Sequence, residues 1–410
     1  MDASAELASA ARRNLRLLAT GMAALYGMVE LAFGASTVTF EETGGSSALA
    51  GLAPAVYLAC AGLAAVAAGR AMDRSGRRPI LIAGFAAGLV GCLVAGLGVS
   101  AGSLPLVMLG FGLTGAATGT VLLSRAAAAD MFPPERRPRA IAQVLFGAVF
   151  GALLGPLLFS PLLSGGDPSG LELAWLGAAG FMLAGLVIAA LLRPDPQQIA
   201  RALAPDSVTS QSASAPLARI VRRPGVPPAL LAVLASWAGM VAVMALSGAA
   251  LLDHGHDQDA VFPVLSAHFV GMFALFGVVG PVIERIGRTR AIAGGLLLLA
   301  VSTVGLLGTV DSIPLAAVTL FGVGLGWSLS FVAATAELAE RAEPAERAGL
   351  IGFADLLGDL AGAALVVAGG FALAEVGLVA VCVGAALLPL AAAVWTIRAP
   401  RGRMLATEQG

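Results

Sequence analysis

The chain has few charged side chains for its length. Of its 410 residues, 12% are charged and 58% are hydrophobic, and the mean hydropathy is +0.90. A soluble domain carries about 25% charged residues and has no means of burying so much apolar surface. The composition therefore excludes a soluble protein and indicates a polytopic membrane protein.

Sequence signals of enzymes and of nucleic-acid-binding proteins are also missing. No nucleophile–base constellation, phosphate loop or hydrolase motif occupies a position that faces water, and the arginines are spread among loops instead of forming one basic patch. Cys60, Cys92 and Cys382 lie in apolar stretches without CxxC spacing. We interpret them as small hydrophobic side chains, with a thiol that helps to pass a soft metal as the alternative. We predict no enzyme activity, no nucleic-acid partner and no tightly bound cofactor.

Long apolar stretches recur along the chain, each of about 20 residues, the length that crosses about 30 Å of hydrocarbon as a helix. Backbone groups must be satisfied within each stretch and strand alternation is absent, so we predict helices and not barrel strands. The fold class is thus an all-α membrane protein. We number twelve spans in chain order: roughly 16–40, 47–69, 79–101, 104–129, 140–163, 171–192, 226–252, 260–283, 291–310, 313–336, 349–371 and 375–397.

The basic residues are confined to every second loop. The chain has no lysine, so all 24 are arginines, and of these only Arg125 lies within a span. By the positive-inside rule the arginine loops and both termini are cytoplasmic, in agreement with an even number of spans. The intervening loops carry acids instead: Glu41, Glu42, Asp167, Asp253, Asp257, Asp259, Asp311 and Glu375.

Two loop motifs repeat at one distance along the chain. Residues 69–77 (GRAMDRSGR) and 280–288 (GPVIERIGR) both fit G-x-x-x-[DE]-R-x-G-R and lie 211 positions apart, and PPERR at 133–137 and PAERA at 344–348 keep that offset. Two matches at one spacing predict a duplicated six-helix unit. We therefore predict an N-terminal half (1–193), a polar cytoplasmic linker (194–224), a C-terminal half (225–398) and a cytoplasmic tail (399–410).

Twelve spans, a 6+6 repeat and this loop motif in both halves resemble the major facilitator superfamily over nearly the whole chain. The resemblance implies a carrier that works as a monomer by alternating access. The motif charges are predicted to hold one conformation closed and to separate in the other, with a purely topological role of the arginines as the alternative. The gating candidates are Gly69, Asp73, Arg74, Gly76, Arg77, Gly280, Glu284, Arg285, Gly287 and Arg288.

Spans 7 and 8 contain paired side chains with soft donor atoms. Span 7 holds Met240 and Met244, and span 8 holds His268 and Met272. Residues four apart lie on one face of a helix, and the opposite directions of the spans put Met244 level with His268 and Met240 level with Met272. Thioether donors prefer copper in the +1 state, and imidazole binds copper or zinc. The pattern predicts a copper site; the alternative is that the methionines fill space and His268 bonds a neighbour.

These four residues, in order and placement, resemble the CcoA-type bacterial copper importers. The resemblance implies import of copper as cargo across the bacterial cytoplasmic membrane for cytochrome oxidase assembly, with an unidentified cytoplasmic copper acceptor. The phrase HFVGMF is also similar to span 8 of wider relatives that carry organic solutes such as riboflavin.

Two further functions remain open. A proton-coupled carrier of an organic solute or drug is favoured by the membrane acids and by span 5, where GAVFGALLGP is similar to an antiporter motif, although tight packing produces the same spacing. A non-transporting sensor or assembly factor is disfavoured by the short loops.

Charged residues within the spans are costly and therefore functional candidates. Glu30 is placed near the middle of span 1, Arg125 in span 4, and Asp355 and Asp359 on one face of span 11. We predict proton coupling at these residues, or a structural ion pair as the alternative. Outside the spans, DHGHDQD (253–259) contains His254 and His256. We interpret this segment as a solvated acidic loop, with entrance ligands for cations as the alternative.

Overall fold

The protein is built from helices. The computed structural model describes residues 3–34, 39–40, 43–44, 52–163, 168–203, 216–256 and 258–398, and these ranges contain no β-strand. The long helices are α1 (Ala3–Gly34), α2 (Leu52–Ser75), α3 (Arg77–Ser100), α4 (Leu104–Leu122, continued by Ser124–Asp130), α5 (Arg137–Leu163), α6 (Pro168–Ala190), α7 (Val226–Asp253), α8 (Gln258–Phe269, Val270–Ala274 and Phe276–Ile286), α9 (Arg288–Gly305), α10 (Ile313–Arg341), α11 (Arg347–Glu375) and α12 (Leu378–Arg398).

These helices match the membrane spans predicted from the sequence. Eleven helices of the described chain are long and apolar enough to cross a membrane. The α8 segments Val264–Ala274 and Phe276–Ile286, which meet at a bend of 52°, make a twelfth span if they are counted as one. Many outward-facing apolar side chains are exposed, among them Leu63, Leu97 and Phe371, as expected of a surface that contacts lipid. The chain is a multi-pass membrane protein.

The first helix differs from its prediction. It begins at Ala3, well before the predicted start of span 1, and is described as far as Gly34. The arginines that precede the apolar stretch did not mark the N-terminal boundary of the helix. Arginine is a good helix former, and a helix continues from hydrocarbon into water without a break. As a consequence, Glu30 lies about one turn from the described end of α1 and not near its middle.

The two copies of the loop motif form the same turn. Gly76 joins α2 to α3 with φ 99° and ψ 166°, and Gly287 joins α8 to α9 with φ 85° and ψ 150°. This region of backbone space is open essentially to glycine alone. In both copies the backbone conformation of the turn therefore requires a glycine at this motif position.

Two pairs of helices join α1–α6 to α7–α12. The helix α2 packs along α11, and α5 packs along the last part of α8. A Cβ atom at Gly69 would lie 2.3 Å from the carbonyl oxygen of Ala348, and one at Gly280 would lie 2.6 Å from the Cα atom of Arg139. Both approaches lie at the end of the molecule that carries the arginine loops, which we call the arginine-rich end; the opposite end is the acidic end.

The predicted linker is partly folded against the helices. It contains short helices at Pro196–Leu203 and Leu217–Ile220, while 204–215 lie outside the described residues. Asp195 accepts hydrogen bonds from the backbone N–H groups of Arg77 and Arg78, and Gln197 donates to the backbone oxygen of Asp73. The linker is therefore docked on the first loop motif.

The other end of the linker is attached to α11. Arg223 donates two hydrogen bonds to Glu346, of 2.6 and 3.0 Å. These bonds raise the pKa of Arg223 above its ordinary value. The two described parts of the linker thus contact different halves of the chain.

Candidate functional site

A buried ion-pair network joins the two halves at the arginine-rich end. Asp73, at the end of α2, accepts a hydrogen bond of 2.8 Å from Arg77 and further bonds from the backbone N–H groups of Ala348 and Gly349 at the start of α11. Arg77 is fully buried and also donates to the carbonyl oxygen of Pro344. A residue pair from the first loop motif therefore binds directly to the opposite half.

Asp130 completes this network. At the end of α4 it accepts from Nε of Arg77 at 2.8 Å, and its other oxygen pairs with Arg347 of α11. Asp130 and Arg347 are both buried. One carboxylate thus bridges an arginine from each half. Asp73, Arg77, Asp130 and Arg347 are called the Asp73 network below.

The second loop motif forms a more exposed cluster. Glu284 pairs with Arg139 of α5 at 2.9 Å, where the arginine side chain is 49% exposed. Arg288 pairs with Glu337 at 2.9 Å and with Glu340. Arg341 also binds Glu337. These six residues are called the Glu284 cluster, and through Arg139 it too connects the halves.

The gating candidates fall into two groups. Gly69, Asp73, Gly76, Arg77, Gly280, Glu284, Gly287 and Arg288 occupy the close helix contacts, turns and ion pairs just described. Arg74 and Arg285 are exposed and form no ion pair or hydrogen bond with the described residues. Sequence reasoning missed Asp130 and Arg347; an acid at the end of a span, beside loops otherwise dominated by arginine, was the signal available.

A cavity of about 310 Å³ lies between the halves. Its lining includes Leu122 of α4 and Asp355 of α11, which lie about two helical turns from Asp130 and Arg347 of the Asp73 network. At the acidic end the lining reaches Pro54, in the first turn of α2. The central cavity thus extends from the acidic end to within about two turns of the Asp73 network.

Aromatic side chains form much of its wall. The rings of Tyr26 on α1 and Phe273 on α8 meet edge to face with centroids 5.2 Å apart. Phe269 and Phe273 are stacked at 6.4 Å, and Trp237 lies 5.7 Å from Phe331. Such walls suit a flat apolar or aromatic ligand, because ring pairs add about 0.5–1.5 kcal/mol beyond the area they bury.

Four charged residues are at or beside this cavity. Arg125 is fully buried, pairs with Asp355 across the halves and lies 5.0 Å from the ring centre of Phe331. Glu30 and Asp359 line the cavity and form no ion pair with the described residues. The sequence left the partner of Arg125 open, and the structure selects Asp355.

Three of the four predicted copper ligands, Met240, Met244 and Met272, line the central cavity. The buried His268 is not among the lining residues, and its Nδ1 bonds to the backbone oxygen of Leu320 on α10 at 3.0 Å. Its Nε2 has no hydrogen-bond partner among the described residues. The prediction that His268 and Met272 share one face assumed a regular α-helix. Val270–Ala274 is instead a π-helix, whose wider turn changes the angle between the two side chains.

The outer histidines are also bonded to backbone. Nδ1 of His254 lies 2.7 Å from the oxygen of Ala250, and Nε2 of His256 lies 2.8 Å from the oxygen of Val310. Asp257, like Glu41, Glu42 and Asp167, lies outside the described residues. Within the described chain no group of three or more His, Cys, Asp or Glu side chains could hold a metal ion, and Cys60, Cys92 and Cys382 are free thiols.

Several known proteins are similar to this chain in sequence. An uncharacterized MFS-type transporter, YdeG of Bacillus subtilis, is 30% identical over 357 residues, which cover 85% of this chain and 83% of that protein. The riboflavin transporter RfnT of Brucella anthropi is 28% identical over 348 residues, covering 83% and 84%.

Solved transporter structures share the fold. The human organic anion transporter MFSD10 superposes with a TM-score of 0.75 at 18% identity, covering 94% of this chain and 99% of that one. The Escherichia coli fucose:proton symporter FucP gives 0.73 at 14% identity, covering 95% and 98%.

The family model of the Major Facilitator Superfamily matches residues 18–364. Together with the helices, the loop motif and the relatives, this match shows that the chain belongs to the Major Facilitator Superfamily, whose members are membrane transporters and not enzymes.

Proposed function

We propose that the protein is a proton-coupled carrier of an organic solute with a flat aromatic ring system, of the kind represented by riboflavin. The observation that carries the proposal is the central cavity, whose lining combines aromatic side chains with Glu30 and Asp359, two carboxyl groups that form no ion pair with the described residues. The similarity to RfnT supports the same class of cargo. Copper import, which the methionine and histidine spacing predicts, has less support.

The aromatic wall is suited to a ring that enters edge-on. Tyr26 and Phe273 come from different halves, and Trp237 and Phe331 approach the cavity from α7 and α10. A flat ligand between these helices would contact both halves at once. A cargo that contacts both halves can favour their rearrangement, since a ligand shifts an equilibrium by its difference in affinity for the two states.

The carboxyl groups supply a route for coupling. Asp355 already has a counter-ion in Arg125, which leaves Glu30 and Asp359 without one in the described chain. A lone carboxylate at membrane depth is costly and takes up a proton readily when the cavity closes around it. Uptake of a proton at Glu30 or Asp359 before closure, and its release on the other side, would couple the proton gradient to transport.

The conformation fits the first step of import. With the arginine-rich end in the cytoplasm, as the positive-inside rule predicts, the Asp73 network blocks the cytoplasmic route while the cavity extends outward. The protein would then be poised to take cargo from outside. Separation of the Asp73 network and of the Glu284 cluster would open the cytoplasmic route.

The lining of the cavity supports copper less than an organic cargo. It contains the three predicted thioethers but not the imidazole of His268, whose Nδ1 bonds to Leu320 on α10. Thioethers in an aromatic wall also pack well against rings. The three methionines are therefore accounted for by contact with an organic cargo.

The test is uptake by purified protein in liposomes. An inward proton gradient should drive accumulation of riboflavin, by about tenfold per coupled proton for a gradient of about one pH unit. Glu30→Gln and Asp359→Asn should lose this accumulation and still bind riboflavin, measured by quenching of its fluorescence. Asp311→Asn, which removes an exposed acid of the acidic end, is the matched control and should transport normally.

Radiolabelled copper is the second substrate in the same liposomes. Uptake of copper but not riboflavin by the intact protein, lost in Met240→Ala, would overturn the proposal. Riboflavin uptake that ignores the proton gradient would overturn the coupling but leave the cargo in place.

A further inference from the structure

We infer that the arginine-rich end carries a second binding site, for the phosphate-bearing headgroup of an anionic lipid. The site is a pocket of about 300 Å³ whose lining includes Arg70, Arg74, Leu217, Ile220, Gly349 and Leu350, together with the acidic residues Asp73 and Glu346. It is called the headgroup pocket below, and it is independent of what the central cavity carries.

The charges of the pocket favour an anion. Asp73 is neutralised by Arg77 and by two backbone N–H groups, and Glu346 is paired with Arg223. Arg70 and Arg74 are exposed and form no ion pair or hydrogen bond with the described residues. Two guanidinium groups one turn apart on α2 therefore remain to bind phosphate oxygens, which they do through paired N–H donors.

The rest of the lining favours a lipid over free phosphate. Leu217 and Ile220 of the linker and Leu350 of α11 give the pocket an apolar side. Arg70 and Arg74 lie in the last turns of α2, and Gly349 lies in the first turn of α11, so the pocket is at the membrane boundary. Basic pockets between membrane helices at this depth accept anionic headgroups.

The position of the pocket gives the lipid a regulatory role. Its walls come from α2, from the linker and from α11, and they include the place where Asp73 binds the N–H group of Gly349. A headgroup bound there contacts both halves only while the Asp73 network is formed. Binding should therefore stabilise the conformation with the arginine-rich end closed.

The experiment measures this conformation in lipid nanodiscs. Spin labels at Ser75 and Glu343, in a variant with its three cysteines replaced by alanine, report the distance between the ends of α2 and α11. Phosphatidylglycerol added to phosphatidylcholine should enlarge the short-distance population. Arg70→Gln/Arg74→Gln should lower the affinity for phosphatidylglycerol by about 30-fold, because each arginine near an anionic lipid surface contributes about 1 kcal/mol of binding free energy. The lipid-induced gain of short distances should be reduced accordingly.

Two further variants separate a site from general surface charge. Arg12→Gln/Arg13→Gln removes two exposed arginines of α1 from the same end and should respond as the intact protein does. Arg70→Lys/Arg74→Lys should keep most of the response, because lysine also binds phosphate. Loss of the response in the α1 variant, or an intact response in Arg70→Gln/Arg74→Gln, would overturn the site. The same response to inorganic phosphate in pure phosphatidylcholine would overturn the lipid as its occupant.

Discussion

The two copies of the loop motif have nearly the same sequence and very different surroundings. In the first copy the side chains of Asp73 and Arg77 are 6% and 0% exposed. In the second copy those of Glu284 and Arg288 are 18% and 22% exposed. The turn itself is common to both. Both copies lie against the start of a neighbouring helix, but the contacts differ. Ala348 and Gly349 of α11 donate backbone N–H groups to Asp73, whereas Glu284 pairs with the half-exposed side chain of Arg139 in the first turn of α5.

The arginine partners differ as well. Arg77 finds Asp130 on α4, but the position 211 residues further on is Arg341, which cannot pair with Arg288. In the second copy Glu337, one turn earlier on α10, binds both arginines instead. The motif thus prescribes a turn, and its position in the interface between the halves decides how strongly its charges hold them together.

The strongest way to test this comparison is to remove the bridging carboxylate. Asp130→Asn leaves Arg347 buried without a carboxylate partner and weakens the interaction with Arg77. We therefore expect the conformation with the arginine-rich end closed to be destabilised by about 3–5 kcal/mol. The label pair at Ser75 and Glu343 should show the short-distance population largely lost. Glu337→Gln, in the partly exposed Glu284 cluster, is the control. Equal effects of the two changes would contradict the comparison.

A smaller effect is expected at the motif aspartate. Asp73→Asn removes one charge but keeps an oxygen that can accept a hydrogen bond from Gly349, and Arg77 retains its pair with Asp130. The closed conformation should therefore be destabilised by only about 1–3 kcal/mol. The same labels should report a partial shift toward the open distance, and the melting temperature should fall. An unchanged distance distribution would show that the bonds to α11 do not hold the halves together.

The smallest effect is expected at the equivalent residue of the second copy. Glu284→Gln breaks a pair whose arginine is half exposed, and such pairs contribute about 0.2–1 kcal/mol. Thermal unfolding and the label distances should stay close to those of the intact protein. A shift as large as that of Asp73→Asn would mean that the two copies contribute equally despite their different burial.

The sequence predicted the parts of the molecule that depend on composition and spacing. Span number followed from apolar length, and the motif singled out Gly69 and Gly280, which the structure places at close helix contacts. The glycines of span 5 also have a packing role, since Cβ atoms at Gly147 and Gly151 would lie 1.9 and 2.1 Å from carbonyl oxygens of α1. Their likeness to an antiporter motif is therefore not needed to explain them.

The candidate site was less accessible from the sequence. The π-helix at Val270–Ala274 leaves no trace in composition, and the sequence did not show that Met272 lines the cavity while His268 does not. The pairing of Arg125 with Asp355 joins residues 230 positions apart, which depends on how the halves pack. The sequence identified the charged and sulfur-containing side chains within the spans, but which of them lie together required the tertiary structure.

The absence of lysine has a consequence for how the closed end can be opened. Every cation in the Asp73 network and the Glu284 cluster is a guanidinium group, which keeps its proton at any pH that a cell experiences. No acetylating enzyme can remove these charges as it would remove the charge of a lysine. The positive charges of the closure are therefore constant, and a change of pH can weaken it only through the carboxylates.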